Sequence, residues 1–278
     1  MTSATNLEAR VSGSLHYRVG GAGPPLLLVH GLAGSSGNWC EVLPQLVERY
    51  RVIAVDLPGH GRSGAMPRGA TTVDFASSVA AVLEAERVGD ALVAGHSFGG
   101  LVALRLAQRR PELVRGLLLA SPAGIGSSTR AAQAVVLATT TVRPARLVAG
   151  FRHRFAERAW YRRAVFRPWF VSDALALSSR ATHGLLEAHR QHADTKTAGR
   201  ALIADDPRTE LTPLHCPVLV LWGARDLQLP LDDAFAYARR LRAQLRLVAD
   251  CGHLVIVERP HAVVDALDDL ARSGSPPE

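Results

Sequence analysis

Lysine is almost absent from this 278-residue chain. Lys196 is the only one, so arginine supplies nearly all of the 32 basic residues. Cysteine is scarce too: Cys40, Cys216 and Cys251 are odd in number, and their spacing matches no metal or redox motif, which excludes a disulfide-framed scaffold and a cysteine-built zinc site. Aromatic residues make up only 5%, so Ala, Leu and Val must fill the core. No apolar h-region lies between Met1 and Ser14, so no secretory signal is expected. The longest apolar stretches, such as Ala134 to Ala138, are far too short for a bilayer span. A cytoplasmic protein without stable membrane insertion is therefore expected. The formal charge of +7 comes with no helix-turn-helix, zinc or RNA-binding pattern, so nucleic acid is not expected as a partner. The segment Asp56 to Ser63 lacks the pattern of a phosphate loop and reads as a structural turn.

What is present is an alternation. Short apolar runs at Pro25 to His30, Arg51 to Val55, Ala91 to Ala94, Gly116 to Ala120, Pro217 to Trp222 and Leu245 to Ala249 suit strands covered on both faces. Helical patterns lie among them at Trp39 to Arg49, Thr72 to Glu86, Phe98 to Gln108, Leu231 to Leu241 and Glu258 to Ala271. This alternation implies βαβ crossovers, a mostly parallel sheet and helices on both faces. His16 to Val19 opens the sheet, with an antiparallel hairpin partner just before it. From 122 to 209 no strand pattern appears; helical patterns at Arg130 to Thr140, Phe155 to Val165 and His183 to Thr197 suggest a helical cap inserted in one core built from 1–121 and 210–272. Residues 273–278 read as a disordered tail.

Gly95-His96-Ser97-Phe98-Gly99 fits G-x-S-x-G, directly after an apolar strand and at the start of a helix. A tight strand-to-helix turn lifts the Ser97 hydroxyl clear of the sheet, and larger residues at 95 and 99 would collide there. The competing reading is a glycine-rich turn with an incidental serine. Two further segments stand at strand ends: His30-Gly31, and Asp56-Leu57-Pro58-Gly59-His60-Gly61-Arg62-Ser63.

Together these motifs resemble the α/β-hydrolase fold family over nearly the whole chain, from about Leu15 to Ala271. The resemblance implies an eight-stranded, mostly parallel α/β sheet with a helical cap, and a serine hydrolase in which Ser97 is the nucleophile. A serine hydroxyl needs a neighbouring base, and the family order Ser, Asp/Glu, His along the chain selects His253, after the last strand, and Asp226, after the strand at 217–222. Asp232 and Asp233 are the alternatives for the acid and read as first-turn helix residues. The oxyanion hole is expected from the backbone N–H groups of Leu32 and Phe98. His96 is expected to be structural, and His30 to hold the oxyanion loop by hydrogen bonding. His183, His189 and His192 read as a solvated face of an insertion helix; no carboxylate or cysteine pattern supports a metal site there, and neither metal nor cofactor is expected.

The cap gathers Trp160, Tyr161, Phe166, Trp169 and Phe170, either as a substrate pocket or as rings that fasten the cap to the core. Leu32, Phe98, Trp160 and Trp169 are the candidate substrate contacts. Arg158, Arg162, Arg163 and Arg167 among them either attract an anionic substrate or membrane surface, or form a solvated helix face. The expected partner is a small-molecule acyl substrate, an ester or thioester of small to medium size; a homodimer is left open. Carbon–carbon bond hydrolysis of a vinylogous diketone and cofactor-free perhydrolysis use the same three residues, and a non-catalytic ligand-binding homologue keeps the fold without them. Epoxide hydrolases and haloalkane dehalogenases of this fold use an aspartate where this chain has Ser97.

Overall fold

The computed structural model describes residues 7–126, 129–166 and 170–273. Its strands are β1 (Glu8–Ser12), β2 (Leu15–Gly20), β3 (Pro25–Val29), β4 (Arg51–Val55), β5 (Ala91–His96), β6 (Val114–Ala120), β7 (Val218–Gly223) and β8 (Gln244–Val248). They form one sheet in the order β1-β2-β4-β3-β5-β6-β7-β8. β1 and β2 make the antiparallel hairpin, β2 runs antiparallel to β4, and every pairing from β4 to β8 is parallel.

The helices are α1 (Leu43–Leu46), α2 (Thr72–Ala85), α3 (Phe98–Arg109), α4 (Arg130–Val142), α5 (Pro144–Ala149), α6 (Arg152–Phe155), α7 (Ala159–Val165), α8 (Ser179–Leu186), α9 (Thr195–Ala204), α10 (Leu231–Leu241), α11 (Val255–Glu258) and α12 (Pro260–Ser273). Between β6 and β7 there is no strand among the described residues. No helix among them is long and apolar enough to cross a membrane.

Side chains alternate across a pleated strand, so a run of Leu and Val buries both faces of the sheet. Leu27, Val29, Ile53, Val55, Val93, Leu117, Leu119 and Val220 pack on one side with α2, α3 and α10. Leu26, Leu28, Val52, Ala54, Leu92, Ala94, Leu118 and Leu219 pack on the other with α1, α11 and α12. The segment between β6 and β7 joins both layers. Ala198, Ala201 and Leu202 of α9 enter the first, while Tyr161, Phe166, Val171 and Leu177 enter the second.

Several helices differ from the sequence reading. Instead of one helix over 39–49, a 3-10 turn at Ser36–Trp39, capped by Ser35, is followed by the short α1. The helix expected at 258–271 is divided: α11 ends at Glu258, and Pro260, whose fixed φ suits a helix start, opens α12. Residue 273, assigned to the tail, closes α12, where Ser273 Oγ donates to the Asp269 carbonyl at 2.9 Å; residues 274–278 lie outside the described residues. The helix expected over 183–197 does not form as one unit. α8 stops at Leu186, and Asp194 starts α9 by accepting hydrogen bonds from the Lys196 and Thr197 N–H groups. A side-chain acceptor of this kind satisfies helix-start donors that nothing within the helix can reach.

Candidate active site

The turn from β5 into α3 holds Ser97 at φ 54°, ψ −121°, a conformation that L residues rarely adopt. Its neighbours explain why the turn tolerates it. A Cβ at position 95 would press on the Gly99 carbonyl, and one at position 99 on the Val29 and His30 carbonyls, so both must be glycine for the turn to close against the end of β3. The turn is fastened to the sheet: Ser97 N–H donates to the Ala120 carbonyl at 3.0 Å, and the Ser97 carbonyl accepts from Ala123 N–H at 3.0 Å.

Asp226 lies three residues past the end of β7, and His253 lies in the loop after β8. The structure brings them together, with His253 Nδ1 2.8 Å from Asp226 Oδ2 and both side chains almost fully buried. The other carboxylate oxygen, Oδ1, accepts from the N–H groups of Gln228 and Leu229 at 2.8 and 2.9 Å. With a carboxylate at Nδ1 the proton belongs on that nitrogen, which leaves Nε2 as a lone-pair acceptor. His253 Nε2 is buried and has no hydrogen-bond partner among the described residues. The two loops meet closely: a Cβ at Gly223 would collide with the Gly252 and Cys251 carbonyls. Asp232 and Asp233 lie in the first turn of α10, where Asp232 is exposed and Asp233 Oδ2 accepts from Gly126 N–H at 2.7 Å.

His96 ties the serine turn to the histidine loop. Its Nε2 donates to the His253 carbonyl at 3.0 Å, and the two rings stand 5.0 Å apart. Burial, then the neighbouring His253, pushes the His96 pKa down to about 3, so it is a neutral structural imidazole. Ser97 and His253 therefore share one rim of the sheet. Their side chains are not hydrogen-bonded to each other in this structure.

On the other side of Ser97, the segment after β3 makes a turn in which Gly34 N–H donates to the Gly31 carbonyl at 3.0 Å and Ala33 takes φ 57°. A Cβ on Gly31 would touch the Ser97 and His96 side chains, so this turn lies against the serine. Leu32 N–H donates to no acceptor among the described residues, and Phe98, as the first residue of α3, has no intrahelical acceptor for its own N–H. His30 holds the turn: its Nε2 accepts from Leu57 N–H at 2.9 Å, which assigns the proton to Nδ1, and Nδ1 donates to the Gly31 carbonyl at 2.7 Å.

His192 reaches the same turn from the segment between α8 and α9. Its Nδ1 accepts from Gly61 N–H at 2.8 Å, and its Nε2 donates to the Ala33 carbonyl at 3.0 Å. Close by, Asp194 N–H donates to the Gly59 carbonyl at 3.0 Å. His192 is buried rather than on a solvated face, and burial pushes its pKa down to about 2. Burial likewise lowers His60 to about 3 and His189 to about 4. No group of three or more metal-ligating side chains occurs among the described residues.

The Asp56–Ser63 segment is a structural brace. Asp56 accepts from Ser36 N–H at 2.7 Å, from Arg62 N–H at 3.1 Å and from His16 Nδ1 at 3.0 Å. Of the candidate substrate contacts, Leu32 is partly buried against the core. The Phe98 ring is fully buried, edge-on to Phe75 at 5.4 Å, so its side chain is a core residue. Trp160 is 58% exposed, tilted against Phe155 at 5.2 Å and edge-on to Tyr161 at 5.8 Å. Trp169 lies outside the described residues. Tyr161 and Phe166 are buried members of the second core layer, packing the segment between β6 and β7 against it.

Sequence reasoning missed Glu258, which joins the segment between β6 and β7 to the His253 loop. Its Oε1 accepts from Gly252 N–H at 3.0 Å, and its Oε2 accepts from Ser172 N–H and Oγ at 2.7 and 2.6 Å. A cavity of about 270 Å³ beside it, lined by Ser172, Arg225, Asp250, Glu258 and Arg259 among others, has none of Ser97, Asp226 and His253 in its wall. Neither Glu258 nor His192 falls in a motif; only the tertiary fold brings them to the site.

Comparison with known proteins agrees with this architecture. A family model described as the alpha/beta hydrolase fold matches residues 24–260. The chain is 31% identical over 261 residues to the dihydrolipoyllysine-residue acetyltransferase component of the acetoin cleaving system of Pseudomonas putida, covering 92% of this chain but only 66% of that relative's length. It is 33% identical over 266 residues to a pimeloyl-[acyl-carrier protein] methyl ester esterase of Aromatoleum aromaticum, covering 90% of this chain and 98% of that one. Among solved structures, a thermophilic esterase from Thermogutta terrifontis superposes with a TM-score of 0.74 at 25% identity, over 94% of each chain.

Proposed function

The chain belongs to the alpha/beta hydrolase fold family, and from that premise we propose that it is a serine hydrolase that cleaves an ester or thioester of small to medium size through an acyl-enzyme on Ser97. Relatives named as esterases support hydrolase activity at this coarser level. The observation that carries the finer reading is the His253–Asp226 pair, with its free Nε2, in a loop bonded to the residue next to Ser97.

In this mechanism Ser97 Oγ attacks the substrate carbonyl carbon while His253 Nε2 takes the hydroxyl proton. The Ser97–His253 hydrogen bond forms in the substrate complex, as catalytic hydrogen bonds commonly tighten when substrate binds. Asp226 holds the imidazole by Nδ1–H and stabilises the imidazolium that forms. The carbonyl oxygen becomes an oxyanion and accepts from the N–H groups of Leu32 and Phe98; one such preorganised donor is worth about 3–4 kcal/mol in the transition state. The tetrahedral intermediate collapses as His253 returns the proton to the leaving alcohol or thiol. Water, deprotonated by the same imidazole, then releases the acid and restores Ser97.

The segment 122–209 acts as the cap over this site, held to the core by His192 and Glu258, and the acyl group enters beneath it. The test is turnover of p-nitrophenyl esters of increasing acyl length. The wild type should hydrolyse short and medium chains, and Ser97→Ala should lose that activity while keeping its circular dichroism. Equal turnover by both proteins would end the proposal.

A further inference from the structure

The span from Thr129 to Phe166, α4 through α7, has an unusual surface. It contains eight arginines against one acid, Glu157, an excess of seven that equals the formal +7 of the entire chain. The remainder of the protein is therefore balanced, and the net charge is concentrated in this span. Only Arg162 has a carboxylate within ion-pair distance among the described residues, at 3.1 Å from Glu157. Arg143 and Arg152 donate to backbone carbonyls at 2.9 Å, in the first case that of His192 and in the second that of Ala149. That leaves Arg130, Arg146, Arg154, Arg158 and Arg163 exposed without an acidic partner among the described residues. In the core, by contrast, arginines such as Arg10, Arg49, Arg51, Arg105 and Arg110 are paired with Asp or Glu.

The same span is apolar where it meets solvent. Val135, Leu137, Val142, Leu147, Phe151 and Trp160 are 39–74% exposed, and they are six of the eleven exposed large hydrophobic residues among the described ones. α4 carries no charged residue from Ala131 to Val142, and of that stretch only Thr140 is buried. A surface helix of a globular protein ordinarily turns a polar face outward. Here the outward face is made of Ala, Val and Leu with Thr139 and Thr141, without a charge, and arginines follow it along the chain. Concentrated exposed apolar surface marks an interaction site.

We propose that the outer face of residues 129–166 is a docking surface for an anionic phospholipid membrane, lying on the bilayer without spanning it. The two observations select this partner together. Exposed apolar side chains insert at the headgroup–acyl boundary, and unpaired arginines of the same span meet anionic headgroups; this combination is the signature of an interfacial segment. A second copy of the same face would bring two like-charged surfaces together, which charge repulsion opposes. An acidic protein would satisfy the arginines but has no need of so many exposed aliphatic residues. The proposal does not depend on the hydrolase reading, because none of these residues belongs to the serine, histidine or oxyanion segments.

The experiment is co-sedimentation of the full chain with vesicles of phosphatidylcholine alone and of phosphatidylcholine mixed with phosphatidylglycerol, at low and high salt. Binding is expected to the mixed vesicles only and to weaken with salt. The quadruple variant Arg146→Glu, Arg154→Glu, Arg158→Glu, Arg163→Glu should lower partitioning at least about tenfold. Val142→Ser with Leu147→Ser should lower it severalfold while the salt dependence is kept. Both variants should retain native circular dichroism and wild-type turnover of a water-soluble p-nitrophenyl ester, so failure here is distinct from failure of the proposed chemistry. Four results would overturn the proposal: no vesicle binding, equal binding to neutral vesicles, self-association that Val142→Ser with Leu147→Ser abolishes, or capture by poly-glutamate without capture by vesicles.

Discussion

His192 Nε2 donates to the Ala33 carbonyl oxygen across 3.0 Å, and this bond joins the segment before α9 to the turn after β3. The acceptor residue is held at φ 57°, a conformation that costs a non-glycine residue about 1–2 kcal/mol. The partner nitrogen, Nδ1, accepts from Gly61 N–H at 2.8 Å, so the imidazole is fixed as one tautomer between two loops.

If that bond keeps the Leu32 N–H in place for an oxyanion, His192→Ala should reduce kcat for a p-nitrophenyl ester about tenfold with a smaller change in KM, because an oxyanion donor acts on the transition state. A mainly structural role would instead lower thermal stability and leave kcat of the folded fraction intact. Steady-state kinetics beside a thermal melt separate the two.

Stability should fall as pH drops from about 6.5 towards 4. His30, His60, His96 and His192 are buried and neutral, with His60 and His96 lowered to about 3 and His192 to about 2, chiefly by burial. Below their ordinary value near 6.5 the unfolded chain binds protons that the fold refuses, so each contributes a loss of up to about 1.4 kcal/mol per pH unit. The carboxyl of Asp56, which burial raises but the neighbouring His30 and the Ser36 and Arg62 N–H groups lower on balance, adds its loss only at more acidic pH. Urea midpoints measured from pH 7.5 to 5 should decline with steepening slope; a flat profile would contradict the neutral-imidazole assignment.

Asp226→Asn should leave the fold intact and lower kcat by about 10³–10⁴-fold, since an amide favours the wrong imidazole tautomer. The Asp226 contact is the one that assigns the His253 proton to Nδ1. Retention of a tenth or more of the wild-type kcat would mean that another carboxylate orients the base.

Gly99→Ala should destabilise by about 1–3 kcal/mol, because its Cβ has to displace the carbonyls that end β3. Gly89→Ala is the control: a Cβ there meets nothing within 4 Å, and the change should stay within about 0.5 kcal/mol. Thermal melts of the two variants give the comparison.

The parts of this architecture that were legible in the sequence are those written locally. Leu26 to Val29 and Leu117 to Ala120 announce buried strands because every position of a doubly covered strand is apolar. Gly95 and Gly99 bracket Ser97 because the backbone contacts that exclude a Cβ lie within a few residues or at the adjoining strand end. The segment between β6 and β7 was not legible in the same way. His189 and His192 have the spacing of a helix face, yet Asp194 caps a new helix and the docking of 192–194 on Gly59, Gly61 and Ala33 takes His192 inside. Glu258 looked like a helix-start residue; its three hydrogen bonds come from Gly252 and Ser172, which no local pattern connects to it.

The most direct measurement is peptide mapping after treatment with a fluorophosphonate probe, which reacts with a serine only when a base activates it. The proposed mechanism predicts one adduct, on the peptide carrying Ser97, strongly reduced in His253→Ala and absent in Ser97→Ala. An unlabelled wild-type protein, or an adduct on Ser97 that persists unchanged without His253, would contradict it.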